Sequence, residues 1–354
     1  NMLLYIHITF CDSKCSYCAF NSYVDKFALR QAYMNALLTQ LQSELIRFNV
    51  TTNNPIETVF IGGGTPSTVD PSLYRPIFEM IDPYLAPNCE ITSEANPNSA
   101  TRSWMKGMFE LGVNRLSFGV QSFNDEKLKT LGRAHNTSHA LEALRCACAI
   151  GYQHLSIDLI YGVRGDTKSL LKADIDQAFS LPIDHISLYA LTIEEETAFE
   201  KSPEMAQETL ELTRWLFREI TDRGFEQYEI SNFGQYRSRH NIGYWEHKPY
   251  IGLGSGAVGF LDDKRYYPST DVEYYIQNPC EYSAEAIEPS ALLSEKLFLG
   301  FRSCVGVDGA ILNEKQKDQA DLLSREGILR IQDGRYFNTD FLLADEIALR
   351  VEGF

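Results

Sequence analysis

Near its start the chain reads Leu3-Leu-Tyr-Ile-His-Ile8 and, two residues later, Cys11-Asp-Ser-Lys-Cys15-Ser-Tyr-Cys18. The apolar run is typical of a buried strand, so the cysteines that follow it are expected on a loop. Three thiolates with the spacing C-x3-C-x2-C on one short loop can bind three irons of a cubane cluster, which leaves the fourth iron open to a ligand from outside the protein. The spacing therefore predicts a [4Fe–4S] cluster on Cys11, Cys15 and Cys18.

The cysteine run also permits two alternatives. Zinc is the competing metal, but a structural zinc site needs four protein ligands, so His7 or Cys89 would have to supply the fourth. The three cysteines could also be unconnected buried thiols. We interpret the remaining cysteines as ordinary buried thiols of this kind: Cys89, Cys146, Cys148, Cys280 and Cys304.

Outward from this run, the first 230 residues alternate short apolar segments with amphipathic helical ones. The periodicity predicts six strands, at residues 3–8, 58–61, 90–95, 115–119, 154–160 and 185–191. Six β-then-α units indicate a parallel sheet with right-handed crossovers. A barrel and a doubly wound open sheet both satisfy the pattern, and both place their chemistry at the carboxyl ends of the strands.

The alternation predicts three regions. Residues 1–230 are the βα region, residues 231–288 are expected to be an irregular extension, and residues 289–354 are expected to form a small separate domain. In that last region two helical stretches precede a hairpin signal centred on Asp333-Gly334. Helices followed by a hairpin indicate a winged-helix-like α+β unit.

Composition argues against several classes of protein. The chain carries a formal net charge of −16, whereas a general nucleic-acid binder needs a basic face. No apolar run reaches the roughly 20 residues that span a bilayer, and no signal peptide is visible. Its eight cysteines in 354 residues are not the dense pattern of a secreted disulfide scaffold. We therefore expect a cytoplasmic protein that binds no nucleic acid.

The cysteine spacing resembles the signature of the radical S-adenosylmethionine (SAM) superfamily. Tyr17 stands where that family packs an aromatic ring on the SAM adenine, and Gly63-Gly64-Thr65 matches the segment whose backbone binds the SAM amino group. Within the superfamily the chain resembles the oxygen-independent coproporphyrinogen III oxidase group, which includes the haem chaperones called HemW. The matching stretches are Tyr-Ile-His-Ile-Thr-Phe-Cys (5–11), Gly-Gly-Gly-Thr-Pro (62–66), Glu-Ala-Asn-Pro (94–97), Gly-Val-Gln-Ser-Phe (119–123), Gly-Arg-Ala-His (132–135) and Ile-Asp-Leu-Ile-Tyr-Gly (157–162).

The resemblance implies a partial (β/α)6 barrel and a set of SAM-binding residues. Tyr5 would contact SAM beside the cluster, and Glu94, Gln121, Arg133 and Asp158 would bind its ribose and carboxylate. The residue types suit this task, because carboxylates and amides hold ribose hydroxyls and a guanidinium pairs with a carboxylate. Each of these side chains could instead cap a loop or form a salt bridge at the end of a strand.

Two departures from the oxidases favour the haem-chaperone subgroup. The oxidases in the family carry a further cysteine two residues after the third cluster ligand, where this chain has Phe20. They also have an N-terminal arm before the first strand, whereas this sequence begins at the strand. Both departures count against an oxidase activity.

The stretch His240-Asn241-Ile242-Gly243-Tyr244-Trp245 resembles the H-N-x-x-Y-W motif that has been linked to haem binding in HemW proteins. A neutral imidazole is a good axial ligand for haem iron, and the two aromatic rings offer a flat apolar surface. The resemblance therefore implies a haem site at His240, Asn241, Tyr244 and Trp245, with His247 as a rival ligand. The alternative is a polar loop whose aromatic residues close the mouth of the barrel.

Together, the motifs and the resemblance predict a radical SAM protein that binds haem and delivers it to an acceptor protein. The first alternative is an oxygen-independent coproporphyrinogen III oxidase acting on a porphyrinogen. If SAM is cleaved, an electron donor such as a flavodoxin or ferredoxin is implied as well. The second alternative is a non-catalytic protein with zinc at the cysteine loop.

Overall fold

Six parallel strands lie side by side in chain order at the centre of the structure, a computed structural model that describes residues 1–353. The strands are β1 (Met2–Ile8), β2 (Ile56–Gly63), β3 (Leu85–Ala95), β4 (Arg115–Gln121), β5 (His154–Tyr161) and β6 (His185–Ala190). The helices that connect them are α1 (Arg30–Arg47), α2 (Pro71–Ile81), α3 (Arg102–Leu111), α4 (Asp125–Thr130), α5 (Thr137–Ile150) and α6 (Lys168–Phe179). This order confirms the predicted partial (β/α)6 barrel.

Local sequence explains where the connecting helices begin. The side chains of Asp70, Thr101 and Thr167 each accept a hydrogen bond from a backbone N–H in the first turn of α2, α3 and α6, respectively. Such caps satisfy donors that the helix itself leaves unpaired. The apolar stripe of α1, including Leu37 and Leu41, is buried in the main core. The helices therefore cover the outer face of the sheet.

The inner face of the barrel is unusually polar. Strands β2 to β6 place polar side chains there, which pair with one another or stay available to a ligand. Glu94 and Asp158 are partly exposed to the cavity, and the others are buried: Thr58, Glu90, Thr92, Arg115, Ser117, Ser156, His185 and Ser187. Alternation along each strand separates this set from the apolar residues that face the helices. Polar groups in a barrel interior need partners, so they indicate either a hydrogen-bonded network or a binding site.

Residues 231–288 differ from the expected irregular extension. After α7 (Leu210–Thr221) and β7 (Glu226–Gln227), the segment forms β8 (Asn232–Gly234), α8 (Arg239–Trp245), β9 (Tyr250–Leu253), β10 (Gly259–Leu261), β11 (Lys264–Pro268), α9 (Val272–Gln277) and β12 (Tyr282–Ala286). The strands join both edges of the barrel sheet, whose order is β12-β11-β10-β9-β1-β2-β3-β4-β5-β6-β8-β7. Strands of three to five residues carry too few side chains for a periodicity to be read from sequence; β9 joins the sheet through its pairing with the distant β1, whereas β10 and β11 form a local hairpin.

The C-terminal part of the chain has a hydrophobic core of its own. It contains α10 (Pro289–Phe301), β13 (Val307–Asp308), α11 (Glu314–Arg325), β14 (Leu329–Gln332), β15 (Arg335–Asn338) and α12 (Ala344–Glu352). The predicted hairpin is β14–β15, which joins β13 in a three-stranded antiparallel sheet. Leu297, Phe301 and Leu323 are fully buried in this second core. The sequence prediction did not include α12.

None of the helices within residues 1–353 is both long and apolar enough to cross a membrane.

Candidate functional site

A cavity of about 740 Å³ opens at the carboxyl ends of the barrel strands. Its wall includes the three cysteines of the loop after β1 together with residues from the ends of β2 to β6. We call it the thiol cavity. The cysteines, the glycine segment and the predicted carboxylates are far apart in sequence, yet this one cavity collects them: Cys11, Cys15, Cys18, Gly63, Gly64, Thr65, Glu94, Gln121, Arg133 and Asp158.

All three cysteines of the loop are free thiols that line the thiol cavity. Thr65 Oγ1 lies 3.5 Å from Cys11 Sγ, and Arg133 Nη1 lies 3.2 Å from Cys15 Sγ. The loop is tightened by a hydrogen bond of 3.1 Å from the Cys18 N–H to the Cys15 carbonyl. Burial raises the pKa of the Cys18 thiol, and the neighbouring Cys11 and Cys15 raise it further. A bound metal would oppose that shift, because metal-bound thiols lose their proton.

The donor set suits a multi-iron cluster better than a single zinc ion. Within residues 1–353, no three His, Cys, Asp or Glu side chains are grouped closely enough to enclose one metal ion. A cubane binds each cysteine through a separate iron and needs only three protein thiolates when its fourth iron takes an outside ligand, which is the number that this loop supplies. Neither candidate for a fourth zinc ligand joins the loop: His7 Nε2 is bonded to the Asn21 carbonyl at 2.8 Å, and Cys89 lies beside Arg239 and Glu90. The three thiols therefore fit a [4Fe–4S] cluster.

The glycine segment is held tightly against the chain that leaves β1. The N–H groups of Gly64 and Thr65 donate to the carbonyls of Ile8 and Phe10 at 2.5 and 2.6 Å. A Cβ on Gly63 would lie 2.5 Å from His7 Nδ1, and one on Gly64 would lie 2.5 Å from the Phe10 carbonyl oxygen. Real Cβ atoms do not approach other atoms that closely. The packing of this loop thus requires glycine independently of any ligand.

Glu94 and Asp158 are carboxylates in the wall of the thiol cavity that are largely buried in the barrel. Burial raises the pKa of Glu94 to about 8, with a further rise from Asp158, and burial raises the pKa of Asp158 to about 6. Their hydrogen bonds from the protein are long: Gly63 N–H to Glu94 at 3.3 Å and Ser117 Oγ to Asp158 at 3.5 Å. Arg115 lowers both pKa values but makes no ion pair within 4.0 Å among the described residues. Each carboxylate can therefore accept hydrogen bonds from the hydroxyls of a ligand.

Three further polar atoms of the cavity residues have no hydrogen-bond partner in the described part of the chain: Tyr17 OH, Gln121 Oε1 and Arg133 Nε. Gln121 also has a φ of 68°, a left-handed backbone that costs a non-glycine residue of order 1–3 kcal/mol; among the residues that line the cavity it is the one non-glycine residue with such a backbone. Buried polar atoms without partners are rare. Their concentration around one cavity indicates a place for a polar ligand.

Arg133, predicted from the sequence to bind SAM, already makes several hydrogen bonds within the protein. Its Nη2 donates to Asn96 Oδ1 at 3.0 Å and to the Gly119 carbonyl at 2.7 Å, while Nη1 faces Cys15. Asn96 also donates to Thr65 Oγ1 at 3.1 Å, so it links the glycine segment to the arginine. Sequence reasoning missed Asn96, although its position just after the end of β3 was a usable signal.

The structure does not bring Tyr5 to the wall of the thiol cavity. Its hydroxyl lies 3.0 Å from His7 Nδ1, and its ring packs near Phe60 with a centroid separation of 6.4 Å. Burial raises the pKa of the Tyr5 phenol and Glu94 raises it further, so Tyr5 lies inside the barrel near Glu94 although it does not line the cavity. Phe20, in contrast, lines the cavity and is 67% exposed at its mouth.

The stretch 240–245 lies in α8, away from the thiol cavity. His240 is buried, with Nδ1 2.7 Å from Thr58 Oγ1 and Nε2 2.9 Å from Tyr244 OH. Its ring stacks on Phe60 at 5.1 Å, and burial lowers its pKa to about 3. The N–H groups of residues 239 and 240 donate to Glu90 at 2.8 and 3.0 Å, which ties α8 into the barrel.

In this conformation neither ring nitrogen of His240 is open to a ligand. Tyr244 packs edge-on against Tyr250, whereas Asn241 and Trp245 are partly exposed. The rival ligand His247 has its Nε2 3.1 Å from Glu295. The segment is a helix away from the thiol cavity, not the polar loop at the mouth of the barrel that the alternative expectation described, and haem binding by this segment stays a prediction.

Comparison with known proteins agrees with the fold. A model of the radical SAM superfamily matches residues 5–178. The chain is 34% identical over 330 residues to the haem chaperone HemW of Bacillus subtilis, covering 88% of this chain and 86% of the relative. It is 38% identical over 271 residues to HemW of Haemophilus influenzae, covering 73% and 70%. The chain therefore belongs to the radical SAM superfamily, in the family of the HemW proteins.

The fold is also shared with a solved enzyme structure. Coproporphyrinogen III oxidase (HemN) from Escherichia coli, a radical SAM enzyme, superimposes with a TM-score of 0.82 over 99% of this chain and 90% of that chain. The sequences are only 18% identical, so this likeness concerns the fold alone. The comparisons confirm the predicted family and the predicted fold class.

Proposed function

We propose that this protein is a haem chaperone that holds a [4Fe–4S] cluster and SAM in the thiol cavity and passes haem to an acceptor protein. One observation supports the assignment of the cluster and SAM: three free thiols, two carboxylates and several polar atoms without hydrogen-bond partners line the same cavity. The haem part is supported by the relatives, whose name is haem chaperone. Phe20, in place of the cysteine expected of an oxidase, supports the same choice.

In this proposal Cys11, Cys15 and Cys18 hold the cluster. Arg133 stands 3.2 Å from Cys15 Sγ, so its fixed charge offsets part of the negative charge of three thiolates and reduces the cost of burying them. Thr65 would donate to Cys11. Such donors stabilise the thiolate form and tune a cluster without binding its iron.

SAM would occupy the remaining space of the thiol cavity. Tyr17 would stack on the adenine, and the backbone of Gly63, Gly64 and Thr65 would bind the amino group. The ribose and methionyl groups would meet the polar atoms that lack partners, together with the two carboxylates: Glu94, Gln121, Arg133 and Asp158. Ribose hydroxyls donate to carboxylates, so SAM would favour the ionised forms of Glu94 and Asp158.

A bound cluster with one iron free of cysteine supplies a position where SAM can be coordinated and receive an electron. An electron donor such as a flavodoxin or ferredoxin would be needed only if SAM is cleaved. The protein contributes binding, orientation and a wall that limits water. Tyr5 does not line the thiol cavity, so in this proposal it supports SAM binding indirectly, through its contact with His7.

The cluster is tested by anaerobic reconstitution with iron and sulfide. The wild type should bind about four irons per chain and show the broad charge-transfer absorbance of a cubane. Cys15→Ser should lose both, because it removes one of three ligands. Cys280→Ser is the matched control, since Cys280 is exposed. Stoichiometric zinc in place of iron, with unchanged binding in Cys15→Ser, would contradict the assignment.

The haem function is tested by titrating ferric haem into the reconstituted protein and then adding an apo haem protein as acceptor. A shift of the Soret band, followed by transfer to the acceptor, supports the proposal. His240→Ala shows whether the motif in α8 participates, which requires its ring to leave Thr58 and Tyr244. Conversion of coproporphyrinogen III by the protein with SAM and dithionite, without haem binding, would instead favour the oxidase.

A further inference from the structure

The wall of the thiol cavity extends beyond the residues proposed to hold the cluster and SAM. Apolar side chains from the barrel, from α7 and from the C-terminal unit contribute to it, among them Ile160, Leu188, Phe217, Ile230 and Leu342. A largely apolar wall and a volume of about 740 Å³ are typical of sites for organic ligands. Apolar contact alone would admit many such molecules, including a tetrapyrrole, so discrimination among them depends on the charged side chains of the wall.

The charged side chains of this wall are mainly acidic. In addition to Glu94 and Asp158 they include Glu194 and Glu208, whereas Arg133 is the one basic residue among the residues that line the cavity. Glu194 and Glu208 are exposed, and neither forms an ion pair within 4.0 Å in the described part of the chain. Arg133 Nη1 faces the cysteine loop. The wall therefore carries more negative than positive charge, and the charges of the two exposed glutamates are not neutralised by a neighbouring cation.

Glu208 is held beside the carboxyl end of β5. Its Oε1 accepts a hydrogen bond from Thr213 Oγ1 at 2.9 Å, and Tyr161 OH lies 3.4 Å from the same oxygen. The N–H of the preceding residue, Gln207, donates to the Gly162 carbonyl at 2.6 Å. These contacts fix the position of the carboxylate at the cavity, although its side chain is exposed.

Glu194 belongs to an acidic loop that follows β6. Residues 192–208 contain six glutamates and one lysine. This loop lies against the cysteine loop, because the Phe199 N–H donates to the Ser16 carbonyl at 3.0 Å. Its negative charge therefore lies directly beside the predicted cluster site. Charges of one sign around a cleft focus the electric field inside it and raise the local concentration of ligands of opposite charge.

We propose that Glu194 and Glu208 make the thiol cavity selective for cationic ligands, so that it favours SAM and rejects tetrapyrroles that carry several carboxylates. This inference rests on the proposed binding of SAM in the cavity and names the residues that select for it. SAM has a sulfonium and an ammonium group against one carboxylate, which Arg133 can receive. The propionates of a porphyrinogen would instead meet the two glutamates and share a single guanidinium. They would lose hydration without gaining a cation, which is unfavourable.

The test replaces both carboxylates in one variant, Glu194→Gln/Glu208→Gln, and measures two affinities. Equilibrium dialysis against the reconstituted protein measures SAM. Fluorescence titration, with and without the cluster, measures coproporphyrin III as a stable tetracarboxylate probe. At low ionic strength the variant should bind SAM several-fold more weakly and the porphyrin about tenfold more tightly than the wild type. Salt at about 0.5 M should remove most of both differences, because the Debye length is then only about 4 Å.

Glu195→Gln/Glu204→Gln is the matched control, because both glutamates are exposed on the same loop but do not line the cavity. It should change either affinity by no more than about twofold, and thermal unfolding checks that each variant is folded.

The outcomes separate this inference from the proposed function. Unchanged affinities in Glu194→Gln/Glu208→Gln would overturn the inference. Changes in the same direction for both ligands would overturn it too, because a charge acts oppositely on a cation and an anion. Tight binding of the porphyrin by the wild type, displaced by SAM, would also overturn it. Each of these results leaves the haem titration of the proposed function unaffected, whereas a wild type that binds no SAM would refute the SAM part of that function and this inference with it.

Discussion

Ionisation of Glu94 should make the ligand-free protein less stable as the pH rises. Burial, and secondarily Asp158, raises the pKa of this carboxyl from its ordinary value of 4.5 to about 8. Between these two values the folded protein keeps a proton that the unfolded chain has lost. The folded state therefore binds more protons than the unfolded state, so the free energy of unfolding falls with increasing pH across this window. The contribution is fully present below pH 4.5 and is lost near pH 8.

The size of the effect follows from the pKa shift. Each pH unit within the window costs about 1.4 kcal/mol, so the rise from about pH 5 to about pH 8 should remove roughly 4 kcal/mol of stability through this one group. Glu94→Gln cannot ionise, and its amide oxygen can still accept the N–H of Gly63. The variant should therefore match the wild type near pH 5 and exceed its stability by up to ~4 kcal/mol near pH 8.

Urea unfolding of both proteins without cluster or SAM, followed by circular dichroism at several pH values and constant ionic strength, measures the difference. Asp158, whose pKa is raised to about 6, adds its own pH dependence to both proteins, so only the difference between them reports Glu94. Glu79→Gln, an exposed glutamate in α2, should behave as the wild type. Parallel curves for wild type and Glu94→Gln would refute the reasoning.

Two further predictions concern the framework of the thiol cavity. Gly64→Ala should lower the free energy of unfolding by about 1–3 kcal/mol even without ligands, because its Cβ would lie 2.5 Å from the Phe10 carbonyl oxygen. Gly259→Ala is the control in the same urea assay, because the nearest contact of its Cβ would be 3.4 Å. Equal stability of the two variants would contradict the prediction. Lys127→Met should lower the free energy of unfolding by about 3–5 kcal/mol, because it leaves the buried carboxylate of Asp166, which lies 2.8 Å from Lys127 Nζ in the wild type, without its cation. An unchanged melting temperature in a thermal scan would contradict this prediction.

The cysteine loop shows how far local sequence can predict a site. Three thiols within eight residues stay close in any fold, so their spacing alone indicated a multi-iron ligand set. Glu94, Gln121 and Asp158 are different, because they meet only after the strands of a parallel sheet align their carboxyl ends. Their roles were predicted through resemblance to a family, and the structure brings them to one cavity.

The motif in α8 shows what local sequence cannot predict about a site. Its residue types are correct for haem, but whether an imidazole is free depends on what the rest of the chain places beside it. Here Thr58 and Tyr244 take both nitrogens of His240. The contact with Tyr244 is local, four residues further along α8, but the contact with Thr58 could not be read from residues 240–245, because Thr58 is 182 positions away along the chain.

By itself, the sequence determined the family, the order of six βα units and the position of the cysteine loop, because helical and strand periodicity and a short cysteine spacing are local properties. Only the tertiary structure decided which glycines are required by packing, that residues 231–288 extend the sheet at both edges, and that Glu194 and Glu208 line the same cavity as the cysteine loop. Those features depend on contacts between segments that are distant in the chain. A side chain's pKa and accessibility follow from its burial and its neighbours, and folding alone supplies both.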